Sequence, residues 1–431
     1  MEKRLPDDFL RSTEPLFGPE RFVRFMAAMD EEPPVSIRVN PRKVEGRGRT
    51  VPWCDEGFYL PRRPNFTFDP LLHAGCYYVQ EAASQFISHI VKSILPSSST
   101  LLPPPSFVLD LCAAPGGKST ALRSLFPDDC LLVSNEPVRQ RAQVLNENML
   151  KWGHPNSVVT NRHARDFVQA GLKEVFDLIV CDVPCSGEGM FRKDPASIDE
   201  WSVGNVSRCQ QLQRQIVGDI WPCLRPGGLM IYSTCTYNVH EDEENVRWLQ
   251  EQTDAELLNV PVREEWGIMG SLLQGFDAPV YRFIPGLTRS EGLFMAVLRK
   301  KDEGGKTAIR REQVVKRITA MAMEQRREEG GKRREDSPSI AEALSVDLDR
   351  TSYPMVELPY PTAIAYLRRE AITLPPDTPK GHVIVTFKGH PLGFVKNIGT
   401  RANNLYPREW AIRSSHVPES YESIVLFPSI H

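Results

Sequence analysis

The sequence predicts an α/β fold in which a parallel sheet is wound by helices, with an α+β extension ahead of it and a β-rich module behind it. Three observations carry that expectation. Between 107 and about 300, short apolar runs alternate with helical stretches, the pattern of strands buried in a parallel sheet. The first run, Phe107-Val-Leu-Asp-Leu-Cys-Ala-Ala-Pro-Gly-Gly-Lys-Ser119, breaks through a glycine turn into a helix start. The second, Leu131-Leu-Val-Ser-Asn-Glu136, follows one strand-helix-strand unit later and ends in a carboxylate.

Within residues 1–102, Val35-Ser-Ile-Arg-Val-Asn-Pro-Arg-Lys43 alternates apolar and polar residues and reads as an edge strand. Arg38, Arg42 and Lys43 then face solvent, either merely solvated or free to meet a phosphate backbone. Gly75 to Phe86 passes from a short strand into a helix whose apolar face continues through Ile87, Ile90 and Val91, with Gln80 and Glu81 standing out from the packing. Pro96-Ser-Ser-Ser-Thr and Pro103-Pro-Pro mark a break. The central region, 103–300, continues with a helix over 138–152 and strands at Ser157–Thr160 and Phe176–Asp182. A helix from Ile198 to Leu224 follows. After Gly227-Gly228 come a fifth strand, Leu229–Ser233, and a terminal hairpin of Val280–Phe283 with Glu291–Leu298.

Residues 299–336 carry 13 Lys and Arg against 8 Asp and Glu and read as a basic, partly helical linker, assigned to 301–345. In the last region, 346–431, a helix at Ala363–Arg369 precedes strands His382–Phe387 and Leu392–Lys396, joined at Lys388-Gly389. Asn403-Asn-Leu-Tyr-Pro407, with Lys396, Arg401 and Arg408, mixes aromatic and basic groups as single-strand binders do, or belongs to a plain β module.

The loop after the first strand is informative about its ligand. Ala113, Ala114, Gly116 and Gly117 leave the backbone bare, and loop amides ahead of a helix favour a polar group. A phosphate-binding loop would need glycine at position 112, where Cys112 stands, and the Gly-x-Gly-x-x-Gly dinucleotide pattern is absent. A nucleoside ligand with little phosphate remains, and S-adenosylmethionine fits. Glu136 is placed to accept ribose hydroxyls, or else serves as a helix-start carboxylate before Pro137. In such a sheet the loops after 111, 136, 182 and 233 meet. Two of them carry thiols: Asp182-Val-Pro-Cys185 follows the fourth strand and Thr234-Cys235-Thr236 the fifth. A cysteine there is a nucleophile or packing, and two on convergent loops favour chemistry. Asp182 is otherwise a strand-end cap.

A net charge of −3 over 431 residues excludes a generic polyanion sponge, so nucleic-acid contacts must be local. The nine cysteines make no secreted disulfide framework and no Cys-x-x-Cys pair, so no structural zinc is expected. With neither a signal-peptide core nor an apolar run of membrane length, a cytoplasmic protein without a membrane partner is expected.

Taken in order, Leu111-Cys-Ala-Ala-Pro-Gly-Gly-Lys118, Asp182-Val-Pro-Cys-Ser-Gly187 and Ser233-Thr-Cys-Thr236 resemble the RNA cytosine-5 methyltransferases of the Sun-domain type. Val35–Lys43 and Gly75–Gln85 resemble that family's amino-terminal extension, and Leu392–Lys396 with Asn403–Pro407 the PUA-like region of its bacterial RsmF branch. The resemblance covers nearly the whole chain except the linker. It implies a Rossmann-like S-adenosyl-L-methionine-dependent methyltransferase domain that modifies carbon 5 of a cytosine in RNA, small-subunit (16S) ribosomal RNA first, transfer RNA as the alternative. A small-molecule or protein methyltransferase would leave both thiols idle, and an RNA-binding assembly factor would not need them. Carried over by position, Cys235 is the nucleophile, Cys185 aids proton removal and release, Asp182 holds the base or the donor's amino group, and Lys118 acts electrostatically. Cys112, Ala113, Ala114, Pro115, Gly116, Gly117, Lys118, Glu136, Arg141, Asp166 and Asp182 are the implied donor contacts; ungapped counting lands on Ala164 rather than Asp166. Pro285-Gly-Leu-Thr-Arg-Ser-Glu291 departs from the pattern in lacking a histidine. A monomer acting on RNA, free or within the small ribosomal subunit, is expected, with no metal.

Overall fold

Val35–Val39 (β1), Arg49–Val51 (β2), Cys54–Leu60 (β3) and Tyr77–Val79 (β4) form an antiparallel sheet in the order β2-β3-β1-β4. The computed structural model describes residues 4–46, 48–94, 107–253, 255–302, 310–328, 338–414, 416–418 and 421–424, with side chains in 310–328 described as far as 322. Strand β1 is an inner strand, which corrects the solvent-facing edge expected for it. Its alternation is real, but the polar face is covered by the central domain. Arg38 is only 1% exposed, and its guanidinium donates to Gln80 Oε1 (2.8 Å), Thr120 Oγ1 (2.5 Å) and the Gly117 carbonyl (3.3 Å). Lys43 Nζ donates to the carbonyls of Ala74, Lys151 and Leu344 (2.8, 2.8 and 2.9 Å). Arg42 lies at the surface but pairs with Asp128 and Asp347.

The central sheet contains Phe107–Asp110 (β5), Leu131–Asn135 (β6), Ser157–Thr160 (β7), Phe176–Asp182 (β8), Leu224–Thr234 (β9), Ala255–Leu257 (β10), Val280–Phe283 (β11) and Leu293–Lys300 (β12). Its order is β10-β12-β9-β8-β5-β6-β7, with β11 also on β12. Strands β7, β6, β5, β8 and β9 run parallel, whereas β12 is antiparallel to β9. Chain order reverses at β5, which has β6 on one side and β8 on the other, so a crevice opens at the carboxyl ends of β5 and β8. The terminal hairpin is present as β11 and β12. The single helix expected over 198–224 is two, Pro195–Glu200 and Val203–Ile220. Ser202 starts the second by accepting from the Asn205 amide, Pro222 helps end it, and Leu224 already belongs to β9. Strand β10, three residues long, is too short for alternation to announce it.

Within the charged stretch, Arg311–Glu328 is a helix that buries Val314, Ile318 and Met321 against the β7 side of the sheet. The proline-rich break at 96–105 and the linker residues 303–309 and 329–337 lie outside the described residues. Met355–Glu357 (β13), Gly381–Phe387 (β14), His390–Asn397 (β15) and Ala402–Asn404 (β16) form the last sheet in that order. Lys388 and Gly389 adopt φ of +49° and +77°, the left-handed pair that a two-residue hairpin requires. Tyr406 is buried with its hydroxyl against His73 Nδ1, so the aromatic-basic patch read at 403–408 is not a stacking surface: its ring faces the core. That core is shared. Ile37, Phe66, Phe68, Leu71 and Tyr77 of the first region pack in one cluster with Leu367, Val385, Val395 and Trp410 of the last.

Candidate active site

The crevice is built from four strand ends. After β5, Gly116 takes φ +114°, where a Cβ would lie 3.2 Å from Leu145, so glycine is required for the loop to turn into the helix Gly117–Leu125. The loop is pinned from three sides: Asn135 Nδ2 donates to the Leu111 carbonyl, Asn148 Nδ2 to that of Pro115, and Arg141 Nη2 to that of Ala114 (2.9, 2.8 and 3.1 Å). Cys112 is half-buried and its thiol is raised well above the usual range by burial, which fits packing better than reactivity.

Glu136, at the end of β6, is 1% exposed. Its Oε1 accepts from the Val138 amide, so the helix-start role is real. Its Oε2 is buried without a hydrogen bond, although Arg141 Nη2 is 3.5 Å away. A buried acceptor left open at this strand end suits a ribose hydroxyl, so the residues present fit a nucleoside donor. Asp166 lies apart from this logic: its Oδ2 accepts from the His163 amide and caps the helix Ala164–Gln169.

The catalytic candidates converge from the other strand ends. Lys118, almost fully buried, places Nζ 2.8 Å from Asp182 Oδ2, and Ser233 Oγ donates to Asp182 Oδ1 at 2.6 Å. Burial works against the ammonium, but Asp182 outweighs it and Lys118 titrates above the usual lysine range. Across the β8 and β9 loops, Cys185 Sγ and Cys235 Sγ are 3.0 Å apart. The hydrogen bond to Cys235, then burial, then Glu241 push the Cys185 thiol well above its ordinary value. Lys118 lies within electrostatic range of Cys235. Asp110, fully buried behind the loop, accepts from Ser119 Oγ at 2.7 Å. The Pro285–Glu291 segment contributes Glu291, paired with Arg192 at 2.7 Å.

Sequence reasoning overlooked the buried groups that hold these loops: Glu188, Ser186, Ser233, Asn238 and Glu241. An acid between two glycines at Gly187-Glu-Gly189, and the run Glu241-Asp-Glu-Glu244 soon after Cys235, were the available signals.

Such a crevice, small-residue loop and open acceptor define a Rossmann-like domain of the S-adenosylmethionine-dependent methyltransferase class. The model of the family described as 16S rRNA methyltransferase RsmB/F matches residues 100–299, that of the N-terminal domain of 16S rRNA methyltransferase RsmF residues 5–82, and that of the methyltransferase RsmF PUA domain residues 353–412. Taken together the three models match the chain over most of its length, and all three point to the RsmF-type branch of this family. Ribosomal RNA small subunit methyltransferase F of Pectobacterium atrosepticum is 33% identical over 322 residues, 69% of this chain and 63% of the relative. The protein of the same name from Citrobacter koseri is 33% identical over 318 residues, 68% and 63% of the two chains. The chain thus spans less than two thirds of these relatives' length. Among solved structures, a methyltransferase homologue from Pyrococcus horikoshii is 26% identical with a TM-score of 0.56, covering 68% of this chain and 98% of that one. Among the described residues no helix is long and apolar enough to cross a membrane.

Proposed function

We propose that this chain methylates carbon 5 of a cytosine in 16S ribosomal RNA through a covalent cysteine-cytosine adduct. One observation carries the reading: two thiols from separate strand-end loops stand 3.0 Å apart beside the ion pair of buried Lys118 with Asp182. The names of the relatives and the PUA match support ribosomal RNA as the substrate class.

Residues 112–118, Glu136 and Arg141 would hold the donor, with the open Glu136 oxygen for its ribose; Asp166 is an outer candidate. S-adenosyl-L-methionine, when bound, supplies an electrophilic methyl group. Of the two thiols, Cys185 is the one that the hydrogen bond to Cys235 and then burial keep protonated. Cys235 is then free to add as thiolate to carbon 6, which moves electron density onto carbon 5. Lys118 places positive charge near the attacking sulfur, while Asp182, held by Lys118 and Ser233, orients the base. The reaction releases one proton, from carbon 5. Cys185 receives it after passing its own to solvent, and the freed electron pair restores the 5,6 double bond as Cys235 leaves as thiolate. The target base must leave its stack to reach the crevice. The units 1–102, 103–300, 301–345 and 346–431 would act as RNA-binding extension, catalytic domain, linker and PUA-like RNA-binding region of a cytoplasmic monomer.

Cys185→Ala is expected to lower turnover by about 10²- to 10⁴-fold and to accumulate an RNA-protein adduct that survives denaturing gels. Cys235→Ala should form none and be inactive. Full methylation by Cys235→Ala, read by bisulfite sequencing of 16S ribosomal RNA, would overturn the mechanism.

A further inference from the structure

The 3.0 Å between the two sulfurs is a distance between two loops, and the backbone fixes it only in part: two direct bonds, Val183 N–H to the Ser233 carbonyl at 3.1 Å and Gly189 N–H to the Cys235 carbonyl at 2.8 Å, join the two segments near the thiols. Two buried carboxylates supply the rest, one from each loop. Glu188, three residues past Cys185, is 2% exposed and reaches into the other loop, where its Oε2 accepts from the amides of Tyr237 (2.7 Å) and Asn238 (3.0 Å). Its Oε1 accepts from Trp201 Nε1 (3.0 Å) and Asn238 Nδ2 (2.9 Å). Glu241, six residues past Cys235, is fully buried and reaches back. Its Oε2 accepts from the Ser186 amide (3.0 Å) and Gln213 Nε2 (2.7 Å), its Oε1 from Ser186 Oγ and from Asn238 Nδ2 (3.0 Å). The Asn238 side chain thus bonds both carboxylates, and its Oδ1 accepts from the Glu241 amide at 2.9 Å.

Each carboxylate receives four donors, all neutral, two on each oxygen. Burial pushes both carboxyls above the usual range. Yet a proton would have to displace one of those donors, so the network is satisfied only by the ionised form. Two buried anions facing neutral donors are an expensive way to hold loops together if holding is all they do. What they set is specific: Glu188 fixes the residues following the nucleophile, and Glu241 fixes the residue following its partner.

We propose that Glu188, Glu241 and Asn238 form a two-way latch that sets the spacing of Cys185 and Cys235, and that they are positioning residues for the thiol pair. The inference rests on the covalent reading above and deepens it.

The test uses the full chain and the variants Glu188→Gln, Glu241→Gln and Asn238→Ala. A glutamine amide turns N–H groups toward two existing donors, so it breaks the latch with little change of volume. Diamide, a thiol oxidant, takes two electrons from the pair, joins the sulfurs and releases both protons to the reduced reagent. The Cys185–Cys235 disulfide is followed by alkylation and peptide mass mapping. In each variant that reaction should slow about tenfold or more, and kcat should fall by about 100-fold, the cost of roughly 1 Å of misplacement, with KM for RNA unchanged. Cross-linking at the wild-type rate in a folded variant overturns the proposal, whatever happens to kcat. If either glutamine variant fails to fold, Asn238→Ala decides by the same two measurements. Wild-type protein that cross-links readily but methylates no RNA would sink the functional reading alone, and the cross-linking comparison would still judge the latch.

Discussion

Asp110 shows how burial behind the donor loop tunes a single carboxyl. It is fully buried, Ser119 Oγ serves one oxygen, and the other has no hydrogen-bond partner. Burial, followed by the nearby Asp182 and Glu136, raises its pKa from 3.8 to about 7 against the opposing pulls of Ser119 and Lys118. The folded state therefore binds this proton more tightly than the unfolded chain. Its contribution is full below the unfolded pKa and is lost as pH rises toward 7. Asp110→Asn removes the cost of ionisation, so its stability relative to wild type should improve by about 3 kcal/mol between pH 5 and pH 8. Thermal melts of both proteins at the two pH values check this, and a constant difference would show that Asp110 does not titrate in that window. At this scale the sequence was legible where chemistry and local pattern coincide: Cys185 and Cys235 sit in loops that follow apolar strands, Asp182 ends one such strand, and Lys118 opens the helix after another. It was illegible where a side chain is defined by a distant partner. Arg282 reads as one polar position in Val280-Tyr-Arg-Phe283, yet it is wholly buried between Asp242 and Glu243 at 2.7 and 2.6 Å.

Among elements, the helix Arg311–Glu328 illustrates the gap between composition and placement. Its charge run suggested a basic, partly helical linker, and 311–328 is indeed a helix. What holds it is one stripe of three residues, Val314, Ile318 and Met321, four and three positions apart. Arg311 and Arg317 fasten it by donating to the Asp129 and Gly171 carbonyls (2.6 and 2.5 Å). The helix is thus a cover for one side of the central sheet, added by a narrow apolar face that a count of charges hides. Ile318, fully buried, is the middle contact. Ile318→Ala should cost about 2–5 kcal/mol, drawn first from this peripheral element. Hydrogen exchange should lose protection over 311–328 while β5, β6 and β8 keep theirs; unchanged exchange in the helix would mean that its charged face, not its apolar stripe, holds it. The break near Ser202 was missed for a related reason. Polar and apolar residues continue through Trp201-Ser202-Val203 at helical spacing, and the capping hydroxyl was read as one more polar position.

In the whole molecule, the amino-terminal sheet is the keystone between the other two regions, and two neutral histidines sit at its seams. Toward the central domain, His154 Nε2 bonds Asn40 Oδ1 at 3.0 Å, while Asn40 Nδ2 donates to the Gly75 and Trp152 carbonyls. Toward the last module, His73 Nε2 bonds the Thr67 carbonyl at 2.9 Å and its Nδ1 receives the Tyr406 hydroxyl at 3.3 Å. The separate regions were legible because strand and turn patterns are local. Their fusion was not, since Tyr77 and Trp410 share a core across hundreds of positions. The seams are predicted to be acid-labile. Burial, then neighbouring cations, lowers both histidines from 6.5 to about 3. For a depressed histidine the stabilisation is present above the unfolded pKa and drains away as pH falls below it. At pH 5 each imidazole should therefore cost about 2 kcal/mol relative to pH 7. In His73 the proton would also take the lone pair that Tyr406 now uses, so the joint to the last module should weaken first. His73→Gln keeps a donor for Thr67 but cannot titrate, and the difference between wild type and variant isolates this site from Asp110, whose dependence runs the other way. Urea unfolding at pH 7 and pH 5 should show the variant losing about 2 kcal/mol less than wild type, together with slower proteolysis between 338 and 418 at pH 5. Equal losses in the two proteins would mean that His73 is solvated and that the shared core, not this hydrogen-bonded seam, keeps the modules joined in acid.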